Sequence, residues 1–202
     1  DGEVQKTVDY PVYFRNVAKD KLPEEGAIVS LWATNLSQSI NPGWVIILTP
    51  LVVAFFTFLR SRKKEPSTPT KIAFGLLISA LSVLVMIAAV NMGANGSEKV
   101  SVWWLVANYG VITIGELFLS PMGLSVVSKL SPTNITSLMM GGWFLSTSIG
   151  NKLSGVLASL WDTYDNKQDF FWINFGLLMF ATLLMFILLK QLNKVMQEKG
   201  IH

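Results

Sequence analysis

One carboxylate stands apart from the others in this 202-residue chain. Twelve of the 13 Asp and Glu residues fall in polar stretches, whereas Glu116 lies in the middle of the apolar block NYGVITIGELFLSPMGLS. An acid at the centre of a membrane span costs about 2.5–3.5 kcal/mol on insertion scales, and such residues face a bundle interior or a wet cavity. On a helix, Tyr109, Thr113, Ser120 and Gly123 all fall within about 60° of Glu116, forming one polar stripe. Pro121 leaves the Leu117 carbonyl without its helical partner, which predicts a bend beside the acid. A low-dielectric site disfavours a charged carboxylate and a nearby cation restores it, so a carboxyl there can exchange a proton for a cationic ligand. The competing reading is structural, a buried ion pair with Lys152, the other charge inside an apolar block. Lys152 lies nine residues from Trp143, on nearly the opposite helix face, and its long stem also suits snorkelling toward the outer interface.

A second polar set, Thr34, Ser37, Gln38 and Asn41, falls within about 100° on a helix. Pro42 and Pro50 follow, freeing the carbonyls of Gln38 and Ile46 and predicting a bent or locally unwound segment. Amides and freed carbonyls supply donors and acceptors that suit a zwitterionic ligand; bonds to neighbouring helices or interfacial water are the plain alternative. Further along, Gly142, Ser146, Gly150, Ser154 and Ala158 recur every four residues, a small-residue ridge that predicts close helix packing. Trp143 is turned about 100° from the start of that ridge. It either presents an aromatic face to a cavity, where it attracts an ammonium or lines an apolar pocket, or faces lipid.

The elements that must position these residues are membrane spans. Hydrophobic residues make up 51% of the chain and charged residues only 14%, with a mean hydropathy of +0.46. Soluble domains carry about a quarter of their residues as charges. A hydrocarbon core ~30 Å thick takes about 20 apolar residues, and blocks at 72–92, 102–127 and 170–189 meet that need. The first block extends over about 28–59, since IVSLWATNLS has no breaker after Gly26. A Gly- and Ser-rich block at about 135–161 is counted too, because small residues are tolerated where helices approach. The expected class is an all-α membrane protein with five transmembrane helices forming a bundle over 28–190. Residues 1–27 read as an extracytoplasmic connection and 191–202 as a cytoplasmic tail. No start methionine or leader precedes Asp1, so the chain is expected to begin inside a longer protein.

Charge then sets orientation. The side holding RSRKKEPSTPTK, Lys129 and the tail from Lys190 carries nine basic residues against Glu65 and Glu198, while the other side carries six basic against ten acidic. Lys and Arg accumulate on the cytoplasmic side, which places the carboxyl end inside and the amino end outside a cell membrane. Topology alone accounts for the basic run, the alternative being a nucleic-acid or lipid-headgroup site. The absence of Cys removes disulfides and thiolate metal sites, and the single His, His202, leaves little for zinc or triad chemistry. No metal, cofactor or enzymatic reaction is expected.

Four strings, SQSINPGWVIILTPLV, EPSTPTKIAFG, GELFLSPMGLSVVSKLSP and MMGGWFL, occur in an order and spacing that resemble the C-terminal half of the proton-dependent oligopeptide transporters, a branch of the major facilitator superfamily. The resemblance runs from about Ile28 to the end. It implies twelve spans in two bundles, with the five here resembling spans eight to twelve and seven N-terminal spans as their missing partner. It implies that Asn41 and Glu116 grip the amino terminus of a di- or tripeptide, that Ser120 and Trp143 line the same pocket with Gln38 as a further substrate-binding position, and that Glu116 is the proton-coupling candidate. Coupling and alternating access need both bundles, with the site near the bilayer midplane between them. The residues for the peptide carboxylate and a further coupling acid on span seven lie outside this chain. Gly43 stands where a larger apolar residue is common in the family, and Lys152 has no place in its general pattern. The implied function is the C-terminal portion of a proton-coupled di-/tripeptide symporter in the lipid bilayer. The alternatives are a transporter of another small zwitterion or anion, and a non-transporting membrane assembly module in which Glu116 and Lys152 lock helices.

Overall fold

The computed structural model describes residues 34–96 and 100–198. The expectations placed on residues 1–27 and on a first span beginning near residue 28 lie outside them. The described residues form five long helices and no strand: α1 (Thr34–Ser61), α2 (Thr68–Met92), α3 (Trp103–Leu130), α4 (Thr136–Ser159) and α5 (Lys167–Glu198). Four of these, α1 from Ser39, α2, α3 and α5, are long and apolar enough to cross a membrane. The Gly- and Ser-rich α4, which also carries Lys152, is not among them.

Pro42 and Pro50 lie inside an unbroken α1, and Pro121 inside an unbroken α3, so the local unwinding expected near Asn41 does not occur. Each proline removes a single backbone bond, and the remaining bonds of the long apolar turns hold the helix. The Thr49 hydroxyl, beside Pro50, donates to the Val45 carbonyl at 2.5 Å.

The centre of the bundle is α2, packed between α3 and α5. Its buried residues are mostly small, among them Ala73, Gly75, Ser79, Ala80 and Ala89. Gly75 and Gly115 let the two backbones meet: a Cβ on Gly75 would stand 2.9 Å from the Gly115 carbonyl oxygen. Lipid tails are as apolar as Leu, so helices in a bilayer associate through such close packing rather than hydrophobic burial. The small-residue interface expected on α4 is therefore found between α2 and α3. Gly142 and Gly150 of α4 have nothing within 4 Å of where a Cβ would be, and α4 buries none of its residues. Spacing identifies a small face, but not whether a helix lies opposite.

Both ends of α5 are tied to α2. At one end Asn95, in the left-handed region at φ 61°, accepts the Lys167 N–H through Oδ1 at 2.9 Å, and the Gln168 amide donates to Asn91. At the other the Ser67 hydroxyl donates to Asn193 Oδ1 at 2.7 Å. The outer faces carry large exposed apolar side chains such as Ile46, Leu138 and Ile187, as lipid-facing helices do.

Candidate functional site

Among the described residues, helix α1 meets α3 at Asn41, Trp44 and Phe56. Asn41 Nδ2 donates to Glu116 Oε2 at 3.0 Å and to Oε1 at 3.3 Å. One turn later, Trp44 donates its indole Nε1 to the Val106 carbonyl at 3.0 Å and lays its ring on Gly110, where a Cβ would stand 3.2 Å from it. Towards the end of α1, the buried Phe56 meets Phe118 with ring centroids 4.8 Å apart. Asn41 and Trp44 are three residues apart and so share a helix face, and both anchor on α3. Gly43, between them, has open space around it.

Glu116 is half-buried on α3. Its bonded partner is Asn41, and the ion pair with Lys152 is not formed among the described residues; Lys152 is exposed. The polar stripe expected along α3 divides. Thr113 is fully buried and its hydroxyl donates to the Tyr109 carbonyl of its own helix at 2.6 Å. Ser120 is exposed. Gly123 is buried beneath the indole of Trp143, whose ring occupies the place of a side chain there. Gly123 lies seven residues beyond Glu116, which returns to the same helix face about 10 Å along the axis. Asn41 and Glu116 are thus brought together, and Trp143 covers the same face of α3 with Ser120 between. Gln38 lies on α1 one turn before Asn41, and its side chain is outside the described set.

Two features have little sequence signal. Trp44 with Gly110 sets how α1 meets α3, and only the shared face with Asn41 hints at it. The second is a charged cluster where α1 ends. Glu65 pairs with Arg60 at 2.7 Å and with Lys71 at 2.5 Å, and the Lys71 ammonium stands 4.4 Å above the Phe56 ring. The hydrogen bond from Arg60, and then that from Lys71, lowers the Glu65 pKa to about 2. A lone acid in RSRKKEPSTPTK is the only trace of this cluster in the sequence.

Residues 33–173 match the POT family. The chain is 36% identical over 132 residues to dipeptide and tripeptide permease A of Proteus mirabilis, an alignment covering 65% of this chain and 26% of that protein. It is 34% identical over 146 residues to the peptide transporter YePEPT of Yersinia enterocolitica, covering 72% of this chain and 28% of that protein. Among solved structures, a mutant of a peptide transporter POT superposes with a TM-score of 0.68 at 31% identity, over 78% of this chain and 31% of the other. A POT family transporter in complex with a thioalcohol-conjugated peptide gives a TM-score of 0.67 at 27% identity, over 77% and 31%. The chain spans about a quarter of the length of the curated relatives it matches.

Proposed function

This chain belongs to the POT family of proton-dependent oligopeptide transporters, and on that premise we propose that it supplies the C-terminal portion of a proton-coupled di-/tripeptide symporter, with the pocket for the peptide's amino terminus. The observation that carries this reading is the bond between Asn41 and Glu116, which joins two helices through one amide and one carboxylate. A peptide ammonium has three N–H donors and no acceptor. Asn41 Oδ1 and the Glu116 oxygens offer it acceptors from two sides, and the carboxylate supplies the opposite charge. Protonation of Glu116 removes that charge and with it the hold on the ammonium, so transfer of a co-transported proton onto Glu116 promotes release of the bound peptide. Ser120, Trp143 and Gln38 line the same pocket in this reading, and no enzymatic reaction is involved.

The five helices take the positions of spans eight to twelve, α4 included, in a cell membrane. The basic turn after α1 and the carboxyl end face the cytoplasm in this reading, which the charge asymmetry supports. The peptide's carboxylate is held by the other bundle of the complete transporter, so this chain alone does not transport. The test is Glu116→Gln in the complete transporter, reconstituted in vesicles with an imposed proton gradient. Proton-driven accumulation of a dipeptide is lost while membrane insertion is retained. Unchanged accumulation would remove the coupling role, and unaltered peptide affinity combined with lost folding would assign Glu116 to assembly instead.

A further inference from the structure

Where α1 and α3 end and α2 begins, a cleft of about 1050 Å³ opens between three stretches of the chain. Arg60 closes α1, Lys63 stands in the following turn, Lys71 lies in the first turn of α2 and Lys129 in the last turn of α3; Asn193 of α5 lies on the same wall. Glu65 is the single acid among the lining residues, and it is already engaged by Arg60 and Lys71. Lys63 and Lys129 are exposed and have no carboxylate partner among the described residues.

Topology explains how many basic residues lie on this side of the bundle. It does not explain why four of them, drawn from positions 60 to 129, line one cavity while Arg62 and Lys64 of the same turn do not. Like charges converging in a confined space repel one another, and an anion seated among them offsets that repulsion. Lysine binds phosphate as a point charge and needs no bidentate geometry. Amide and hydroxyl donors are at hand in Asn193 and Ser125.

We propose that this cleft binds a phosphate group, carried by an anionic lipid headgroup or by a small soluble phosphate. Arg60, Glu65 and Lys71 form its fixed wall, and Lys63 and Lys129 are the residues that engage the ligand. The test uses the complete transporter in phosphatidylcholine nanodiscs with and without phosphatidylglycerol. Native mass spectrometry reads the lipid retained, and calorimetry reads binding of inorganic phosphate. Lys63→Gln with Lys129→Gln leaves the Glu65 cluster intact and weakens binding by about fivefold per lysine removed. Arg62→Gln with Lys64→Gln removes the same charge from outside the cleft and leaves binding near wild type.

Phosphatidylglycerol retained by the wild type and lost from the cleft variant identifies a lipid headgroup as the source. Saturable binding of inorganic phosphate, lost from the same variant, identifies a soluble one. Equal losses in the two double variants would reduce the effect to general surface charge and overturn the proposal, as would a wild type that binds neither probe.

Discussion

Asn41 holds both oxygens of Glu116 through one amide group, at 3.0 and 3.3 Å, across 75 residues of chain. A hydrogen bond to a charged group contributes about 1.5–3 kcal/mol. Asn41→Leu in the complete transporter keeps the side-chain bulk and removes both bonding atoms, and with them one wall of the proposed ammonium site. The expected result is a rise in dipeptide KM by about 10- to 100-fold, the range that energy converts to, with expression unchanged. Uptake kinetics and direct peptide binding check it; a KM within twofold of wild type would show that the pair does not hold the ligand.

The indole of Trp143 fills the place of a side chain at Gly123. Gly123→Ala therefore forces the ring off α3, and because α4 has no buried residue of its own, the expected response is displacement of α4 rather than collapse of the bundle. Overpacking of this kind destabilises by about 1–3 kcal/mol. The chain has no native Cys, so cysteine pairs introduced on α3 and α4 report the separation as a fall in cross-linking yield. Trp143→Ala in the Gly123→Ala background causes little further loss, because the two changes remove one contact.

Gly115 is expected to be far less tolerant. A Cβ there meets the Ser79 hydroxyl and stands 2.8 Å from the Gly75 carbonyl oxygen. Gly115→Ala should reduce the yield of monodisperse transporter on size-exclusion chromatography more than Gly123→Ala does. Ser79→Ala should not rescue it, since the clash with backbone remains. Full rescue by Ser79→Ala would show that the side chain, and not the meeting of two backbones, fixes the spacing of α2 and α3.

The Glu65 cluster gives a pH dependence whose sign follows from the lowered pKa. Glu65 titrates at about 2 in the folded protein against 4.5 ordinarily. Its contribution to stability is fully present above 4.5 and is lost progressively as the pH falls towards 2. Thermal unfolding of the detergent-solubilised transporter should show wild type more stable than Glu65→Gln at pH 6, with the gap closing as the pH is lowered through this window. A gap that stays constant to pH 3 would mean that the carboxylate is not held by Arg60 and Lys71.

Much of this is legible in the sequence. Block length and hydropathy dictate long helices, and the isolation of Glu116 among apolar residues marks it as the one acid whose placement needs a partner. Asn41 is similarly visible as an amide at the edge of an apolar run. The partnership itself follows only from the family resemblance, because helix faces at two distant positions carry no information about which of them meet. For the same reason the small residues of α4 suggested packing that α2 and α3 supply instead: Gly75, Ser79 and Gly115 are scattered among Leu and Ile, and the regular ridge on α4 is more conspicuous. Spacing alone places Thr113 on the polar stripe, but it does not show that the hydroxyl bonds back to its own helix and is fully buried in the bundle. Charge counting treated the α1–α2 turn as a sum, and a sum cannot show that Glu65 organises two cations while two others converge on a cavity.

The uneven attachment of the helices ranks the motions open to this bundle. Sliding α2 would tear apart a seam of bare backbone at Gly75 and Gly115 and break the ties to α5 at both extremities. Swivelling α4 about the ring of Trp143 disturbs little else within these residues. Among the described residues, α4 is thus the least constrained rod, and the aromatic ring on which it rests lies on the same flank of α3 that carries the acid.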